Sequence, residues 1–469
     1  MKKSIAFLAG ALTAAFAFAG GIENKTNMST GYLRNPSRNV EAARPEASFY
    51  NIAGTGFMEN GLHIEVGDQF IIKEYANTLA TDVKGSDGNI YLKDGTKYND
   101  ETTVWFYPNI DIVYKWNNFA FFGNFGIYAG GGKLEYSEGT SVTALAFMDK
   151  AKPYLDSAIA AKAAAESYAV AGDTVSAAYY GGLAKEAGAA AKLLAATAAD
   201  HSLTITSITY GEQIGLAYNL FDLVSLSAAI RFLQGDQKLT LTSDYFNAIS
   251  GGEGNEVGCK SFAFGVSPVF GAHVRLFEKL DIAAQLQVKT IMNYKVNEVT
   301  GKTIAGQIGD SGITEDTTFH SDLPTALNLG VGYRVIDPLY VSASFNYYFN
   351  KSADCDTVIG TNSYDDSFEI AAGADYTIND FVLVSAGLAY GKQGTTSTAN
   401  NVFNPILDSF QIGFGAEIKP IKILTITAGG TWVKYFDTSY TVSKNGENYD
   451  IDLSKKLFMF SVGATLKLF

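Results

Sequence analysis

The sequence contains almost no cysteine. Cys259 and Cys355 are the only two among 469 residues. A single pair so far apart excludes the disulfide framework of a small secreted domain. An oxidising compartment would still permit one bridge between the two, and the sequence leaves that open.

Motifs of enzyme chemistry are missing as well. The chain has no Cys-x-x-Cys pair, no nucleophile-elbow motif and no phosphate-binding glycine loop. Its histidines are scattered without metal-ligand spacing, at His63, His201, His273 and His320. The sequence therefore predicts no catalytic residue, no metal and no cofactor, and it indicates a protein that is not an enzyme.

Long hydrophobic runs are missing after the N-terminus. No later segment offers about eighteen apolar residues without helix breakers, so the sequence predicts no transmembrane helix. The first residues have the pattern of a secretory signal peptide, with basic Lys2 and Lys3, an apolar segment at 5–16 and a small-residue cleavage site at 17–19. We expect residues 1–19 to be removed on export. An exported chain without such helices can span a membrane only with strands.

The residues that are abundant fit membrane strands. The chain has 47 glycines, 27 tyrosines and 31 phenylalanines, but only 9 prolines and 18% charged residues. Transmembrane barrels need small residues and girdles of aromatic residues. The formal net charge is −13, and much of the acid lies in predicted loops, which argues against a nucleic-acid partner.

Residues 457–469 show the clearest alternation. The apolar face carries Phe458, Phe460, Val462, Ala464, Leu466 and Leu468, and the polar face carries Ser461, Gly463, Thr465 and Lys467. In an outer-membrane barrel, lipid contacts the apolar face and the lumen contacts the polar face. The segment, which ends on Phe469, is also similar to the C-terminal signal that the barrel-assembly machinery reads in bacterial outer-membrane proteins.

Alternating segments recur along the chain, and their connections differ in length. We predict fourteen segments, at 61–76, 103–116, 118–136, 203–218, 223–241, 260–276, 279–296, 322–335, 339–350, 364–377, 381–392, 409–419, 421–437 and 457–469. Short and long connections alternate strictly between them. Bacterial barrels have short periplasmic turns and long extracellular loops, so residues 61–469 predict an all-β, fourteen-stranded antiparallel transmembrane β-barrel.

Residues 144–200 depart from this pattern. Two alanine-rich stretches flank Gly172-Asp173-Thr174, which supply a break and an N-cap. We predict a helical hairpin inserted in an extracellular loop. It could act as a spacer or shield, or as a hydrophobic landing surface for a ligand.

The segment before the barrel, residues 20–60, shows little alternation. Its phrases Ser29-Thr30-Gly31-Tyr32 and Tyr50-Asn51-Ile52-Ala53-Gly54 resemble the N-terminal hatch of the FadL/TodX family, outer-membrane channels for long-chain fatty acids and aromatic hydrocarbons. The later sequences Asp322-Leu323-Pro324 and Gly373-Ala374-Asp375-Tyr376 are similar to strands of that family. The departure is Ile52, where the family usually has proline.

The resemblance implies a hatch that plugs the lumen. It assigns Tyr50, Asn51, Ala53 and Gly54 to the hatch turn. A lumen of fourteen strands is wider than its own side chains can fill, so a plug would keep small solutes from leaking through.

Family members are thought to release cargo sideways, where the third strand kinks. In this sequence the kink would fall at Gly130, Gly131 and Gly132, with Pro108 on the second strand beside it and Pro268 as a rival position. The alternative is that these glycines only relieve crowding against the hatch.

Alternation also predicts which polar residues face the lumen. His63 and Glu65 should point inward from the first strand, and Asp111 and Lys115 from the second. A fatty-acid carboxylate would need a cation in the lumen. The candidates are Arg34, Arg38 and Lys115, followed by Arg44, Arg231 and Arg275, unless these cations pair with lumen carboxylates.

The function predicted from all this is passive uptake of a hydrophobic or lipid cargo through the outer membrane by a monomer surrounded by outer-membrane lipid. Two rivals stay open. A general porin would have a polar, open lumen, whereas a surface adhesin or structural barrel would act through the alanine-rich hairpin.

Overall fold

The computed structural model describes residues 26–252, 254–302, 304, 314–357, 360–361, 364–395, 402–403, 405–444 and 446–469. The signal peptide predicted for residues 1–19 lies outside this range. Within it, no helix combines the length and apolar character needed to cross a membrane.

Fourteen antiparallel strands close into one barrel. They are β1 (Gly61–Leu79), β2 (Lys97–Asp100, Thr103–Val104 and Asn109–Trp116), β3 (Phe119–Tyr136), β4 (Ser202–Leu220), β5 (Val224–Thr242), β6 (Glu256–Leu276), β7 (Leu280–Gln287 and Asn293–Thr300), β8 (Thr318–His320 and Ala326–Ile336), β9 (Leu339–Tyr348), β10 (Ser367–Asn379), β11 (Val382–Lys392), β12 (Ser409–Ile421), β13 (Leu424–Tyr435 and Thr438–Lys444) and β14 (Glu447–Leu468). Strand β14 pairs with β1 from Leu62–Leu468 to Leu79–Ile451, which closes the sheet. Two small hairpins lie in the loops, Val83–Lys84 with Ile90–Leu92 and Asp356–Thr357 with Gly360–Thr361.

The alternation predicted for the last strand is confirmed. Phe460 and Val462 are 45% and 55% exposed on the outside of the barrel, whereas Ser461 between them is buried in the lumen. The predicted inward residues are buried too, namely His63, Glu65, Asp111 and Lys115. The turns between β2 and β3, β4 and β5, β6 and β7, β8 and β9, β10 and β11, and β12 and β13 are short and lie at one end of the barrel, here called the short-turn end. The long loops lie at the other end, the long-loop end, where β13 and β14 also extend into a hairpin.

Among the described residues, helices lie inside the barrel and in its long loops. The hatch contains α1 (Thr30–Arg34), α2 (Ala47–Tyr50) and a 3₁₀ turn (Gly54–Phe57). The predicted hairpin is α3 (Ser141–Val170) and α4 (Thr174–Ala199), and the Asp173 side chain accepts a hydrogen bond from the amide of Ser176 as the expected N-cap. Helix α5 (Phe246–Ser250) and a 3₁₀ turn (Asn350–Ser352) lie in later loops.

The interior has two zones. The hatch fills the part nearer the short-turn end. The part nearer the long-loop end holds an apolar core, where strand ends meet the first turns of α3 and the loop before β12. Its fully buried members include Leu79, Tyr136, Leu145, Phe147, Leu203, Val402 and Leu453. The hatch therefore lies beneath an apolar region.

Three features differ from the segments predicted by alternation. Strand β2 is interrupted at residues 105–108, β7 is interrupted at 288–292, and β14 begins at Glu447, ten residues earlier than expected, because it pairs with Thr438–Lys444 in an extended hairpin. Both cysteines are buried, and no disulfide joins them.

Candidate functional site

Three hatch arginines anchor the hatch to the barrel wall. Arg34 lies 2.8 Å from Glu417 of β12 and 3.0 Å from Asp375 of β10. Arg44 forms a bidentate pair with the same Glu417, and Arg38 reaches Asp375 at 3.4 Å. Because all of these groups are largely buried, removing one partner would leave an uncompensated charge, which costs several kcal/mol.

Two hatch carboxylates complete this network with opposite pKa shifts. Burial alone would raise the pKa of Glu41, but the ion pairs with Arg44 and Arg38 outweigh it and hold that pKa below its usual value. Burial raises the pKa of Glu46, and the pair with Arg38 at 3.2 Å does not offset it. Glu46 also accepts a short hydrogen bond from Ser29, the N-cap of α1.

The hatch turn is fixed by hydrogen bonds to lumen side chains. Asn51 Nδ2 donates to the carbonyl of Glu41 at 3.0 Å and lies 2.7 Å from His273 Nδ1. The hydroxyl of Tyr50 donates to the carbonyl of Thr26. Ala53 is fully buried, and a Cβ on Gly54 would lie 2.1 Å from the Glu41 carbonyl oxygen, so this position admits only glycine.

The departure at Ile52 has a local reason. Its amide donates a 2.9 Å hydrogen bond to Gln285 Oε1 on β7, and Gln285 Nε2 donates to the carbonyl of Phe49. A proline at position 52 would have no N–H for this contact.

The predicted lumen cations lie in different surroundings. Arg34 and Arg38 pair with protein carboxylates, which was the alternative left open by the sequence. Lys115 lies near the short-turn end and donates to the carbonyl of Asn117. Arg275 pairs with Asp281 at 2.7 Å. Arg231 contacts neutral groups only among the described residues.

Asp375 and Glu417 were not selected from the sequence. Each is a single acid within a run of small residues, Gly373-Ala374-Asp375 and Gly415-Ala416-Glu417, at an inward position of its strand. The sequence signal that could have identified these two wall acids was an isolated charge at an inward strand position beside small residues. The small residues also make room for the hatch, because Cβ atoms on the wall glycines Gly67, Gly330, Gly373, Gly413, Gly415, Gly429 and Gly463 would clash with it.

A cavity of about 100 Å³ lies between the hatch and the wall. It is lined by hatch residues Thr26 and Tyr32 and, on the wall, by apolar, aromatic, polar and charged side chains together with Gly130 and Gly131. The other lining residues are Asn27, Ile71, Lys73, Tyr75, Tyr107, Glu369, Gln393, Ile406, Leu407, Ser409, Gln411, Val433, Tyr435, Leu457 and Met459. A second space of about 700 Å³ opens at the short-turn end, below the hatch.

The wall is discontinuous beside the first cavity. Backbone pairing between β2 and β3 ends at Ile110–Phe125. Beyond that point the chain of β2 turns away through Trp105 and Phe106, which are 73% and 69% exposed. Strand β3 continues with backbone pairing to β4, with register shifts around Ala129. On the β2 side it has side-chain hydrogen bonds instead, since the Tyr107 hydroxyl donates to the Ile127 carbonyl and the Glu135 amide donates to Asp100.

The predicted glycine kink lies at this discontinuity. Gly130 and Gly132 have positive φ values of 83° and 78°, and a Cβ on Gly130 would lie 2.3 Å from the carbonyl oxygen of Ser207. A Cβ on Gly131 would meet nothing within 4 Å. Pro108 lies at the end of the broken stretch of β2, where it has no N–H to give to the ladder.

The rival position, Pro268, lies in a strand that is continuous on one side. It pairs with Ile230 of β5, and its carbonyl accepts a hydrogen bond from Val288 at the point where β7 is interrupted. Of these two interruptions, only the one between β2 and β3 adjoins Gly130 and Gly131. Among the described residues, no group of three His, Cys, Asp or Glu side chains is arranged to hold a metal ion.

The fold is that of known outer-membrane channels. A FadL homologue from Pseudomonas aeruginosa superposes with a TM-score of 0.64 at 15% identity, covering 96% of this chain and 100% of that one. The toluene transporter TodX of P. putida gives 0.57 at 12% identity, with coverages of 92% and 96%. The toluene transporter TbuX of Ralstonia pickettii gives 0.53 at 13% identity, with coverages of 96% and 99%. At these identities the likeness shows the fold alone.

Sequence comparison shows the family. No curated protein sequence matches the chain. A family model described as outer membrane protein transport protein (OMPP1/FadL/TodX) matches residues 174–468, more than half of the chain. The chain therefore belongs to the OMPP1/FadL/TodX family of outer-membrane transport proteins, and its barrel resides in the bacterial outer membrane.

Proposed function

We propose that this protein is a passive channel for hydrophobic compounds, such as long-chain fatty acids or aromatic hydrocarbons, across the outer membrane. Cargo enters at the long loops, crosses the apolar core, rests in the cavity above the hatch and leaves sideways between β2 and β3. A concentration gradient is sufficient to drive this movement. We also propose that the channel works as a monomer and that its last strand is read by the barrel-assembly machinery.

One observation carries the proposal: the apolar zone leads to a cavity whose wall is discontinuous. Gly130 and Gly131 line the cavity from the side on which β2 and β3 are unpaired. A hydrophobic molecule could therefore pass from the lumen toward lipid without crossing the ion-paired hatch. We propose these glycines and Pro108 as the lateral opening, and the hatch turn as the plug beneath it.

The same observation disfavours the porin. A general porin needs a polar lumen that is open from end to end. Here the long-loop half of the described interior is an apolar core, and the other half is filled by a hatch with at least six ion pairs to itself and to the wall.

A large side chain at Gly131 tests lateral exit. A Cβ at Gly131 meets no atom within 4 Å, so the indole of Gly131→Trp can be accommodated and should obstruct the cavity beside the gap. Uptake of a radiolabelled long-chain fatty acid into proteoliposomes should then fall at least tenfold. Gly181→Trp on α4, where a Cβ also meets nothing within 4 Å, is the matched control and should transport normally.

A hatch tether tests the other exit. In Thr30→Cys/Gly463→Cys the two Cβ atoms would be about 3.3 Å apart, close to the separation that a disulfide needs, so oxidation should lock α1 to β14. Lateral exit predicts that the locked protein still transports. Transport that stops on oxidation, returns with reductant and ignores Gly131→Trp would instead assign the exit to hatch movement.

A further inference from the structure

The space of about 700 Å³ at the short-turn end has the size of a small-molecule binding site. It is here called the lower vestibule. The hatch segment Ala42-Ala43-Arg44 borders it from above, and residues of the barrel wall border it from the sides. The short-turn end of a bacterial barrel faces the periplasm, so a periplasmic solute can reach this space without crossing the membrane.

Positive charge exceeds negative charge in the lining of the lower vestibule. Six arginine and lysine side chains line it, against four carboxylates. Half of these cations already form ion pairs with lining acids, which leaves Glu278 as the remaining acid. The pairs are Arg44 with Glu417, Arg275 with Asp281 and Lys467 with Glu59.

The other three cations have no carboxylate within ion-pair distance among the described residues. They are Arg334 on β8, Lys419 on β12 and Lys422 in the turn between β12 and β13. Arg334 Nη1 donates to the carbonyl of Asp337 at 3.0 Å, and its guanidinium lies 5.8 Å from the centre of the Tyr340 ring. A guanidinium has five N–H donors, so Arg334 is held in position and can still donate to a ligand.

A narrower pocket of about 180 Å³ opens from the vestibule between the hatch and the wall. Arg44, Arg334 and Tyr340 line both spaces. An anionic group at their junction would therefore meet one arginine of the hatch and one of the wall. A second anionic group on the same ligand could pair with Lys419 or Lys422, because both line the vestibule. The lining thus suits a ligand with several negative charges better than a monovalent anion.

We propose that the lower vestibule binds a multivalent anion of metabolite size, carrying carboxylate or phosphate groups, and that this anion holds the hatch in place. Arginine suits both groups, since two of its N–H groups can donate in parallel. A ligand that contacts both hatch and wall stabilises the seated hatch by mass action. It also fills the space through which the hatch would have to leave at the short-turn end. The inference goes beyond the proposed function and does not depend on the cargo.

Binding of citrate and of inorganic pyrophosphate to the protein in a non-ionic detergent, measured by isothermal titration, tests this site. Wild type should bind at least one of them about tenfold more tightly than acetate, the monovalent comparison. Tighter binding of citrate would indicate recognition of carboxylates, and tighter binding of pyrophosphate would indicate recognition of phosphates. Raising the salt concentration from about 0.1 M to about 1 M should weaken the binding, because interactions with exposed charges are screened.

Variants of the unpaired cations locate the ligand. Arg334→Gln should weaken binding about tenfold, since hydrogen bonds between charged groups are lost, and Lys419→Gln/Lys422→Gln should weaken it by a similar factor. Lys279→Gln is the matched control, because Lys279 is an exposed cation at the same end that does not line the vestibule. All these side chains are exposed, so the variants should fold, and the shift of the unheated protein on a denaturing gel checks this.

Hydrogen exchange of the hatch amides distinguishes this site from anion binding elsewhere on the rim. The bound anion should raise hatch protection severalfold in wild type and Lys279→Gln, and much less in Arg334→Gln at the same ligand concentration. Three results would overturn the inference: neither anion binds wild type more tightly than acetate, Arg334→Gln and Lys419→Gln/Lys422→Gln bind as wild type does, or the bound anion leaves hatch protection unchanged.

Discussion

Glu41 links the parts of the hatch more than any other carboxylate in it. It pairs with Arg38 at 2.7 Å and Arg44 at 3.2 Å, and its second oxygen accepts the backbone N–H of Ala42, Ala43 and Arg44. Both arginines also reach acids of the wall. A change at Glu41 should therefore loosen the whole hatch.

We expect Glu41→Gln to lower the free energy that holds the hatch in place by about 3–5 kcal/mol, because it leaves two buried guanidinium groups with less counter-charge. Hydrogen exchange of the hatch amides measures this directly. Glu74→Gln removes a surface acid that pairs with Lys97 and Lys456, and it should change stability by no more than about 1 kcal/mol. Equal protection of the hatch in wild type and Glu41→Gln would contradict the role given to this residue.

The opposite pKa shifts of Glu41 and Glu46 predict a pH optimum for hatch seating. The lowered pKa of Glu41 means that its contribution is present above about pH 4.3, the usual value for glutamate, and is lost as pH falls through the lowered value. The raised pKa of Glu46 means that ionising it disfavours the seated hatch, so its penalty grows as pH rises through that raised value.

Hatch protection, corrected for intrinsic exchange, should therefore decline in strongly acidic solution as Glu41 is protonated, and decline again as pH rises above the usual glutamate value and Glu46 ionises. In Glu46→Gln the decline at rising pH should be smaller while the acidic decline remains. A profile that is flat in wild type, or a decline at rising pH that is undiminished in Glu46→Gln, would show that these two carboxyls do not control seating.

At the scale of elements, the α3–α4 hairpin divides into a packed base and a free end. Leu145, Phe147 and Met148 of α3 are buried in the apolar core, and Ala191 and Ala198 of α4 are buried beside it. Farther along, Tyr154 and Tyr179 are 47% and 63% exposed. The base therefore belongs to the barrel mouth, and only the free end is a candidate spacer or landing surface.

Replacing residues 153–190 with a short Gly-Ser linker should leave a folded barrel that transports at more than half the wild-type rate, because the buried base is kept. Removing 144–199 deletes Phe147 and its neighbours and should lower the melting temperature of the protein. Proteoliposome uptake and thermal unfolding measure the two effects. If the folded 153–190 deletion no longer takes up cargo, the free end is a capture surface. If it transports normally while cells lose surface attachment, the result favours the adhesin function instead.

At the scale of the whole molecule, three zones follow one another along the barrel axis. They are the apolar core under the long loops, the cavities with Arg231 and the gap, and the ion-paired hatch. Under the proposed function, we expect the apolar core and the hatch to stop a polar solute, whereas an apolar one should reach the gap between β2 and β3.

Much of this arrangement follows from the sequence alone. The outward band of β14, the inward positions of His63 and Asp111, the two-helix hairpin with its cap at Asp173 and the glycine kink are local properties, since strand alternation, turn length and capping act over a few residues. For the same reason the count of fourteen strands could be read from alternating short and long connections.

The pairing of charges was decided only by the tertiary structure. Arg44 and Glu417 are 373 positions apart and meet because the hatch enters the closed barrel. The lumen cations predicted to bind cargo were therefore of two kinds that the sequence cannot separate. Arg34 and Arg38 pair with wall carboxylates, whereas Arg231 has no carboxylate partner among the described residues. Burial and long-range contact determine whether a charge is satisfied by the protein or left for a ligand, and neither is encoded in local pattern.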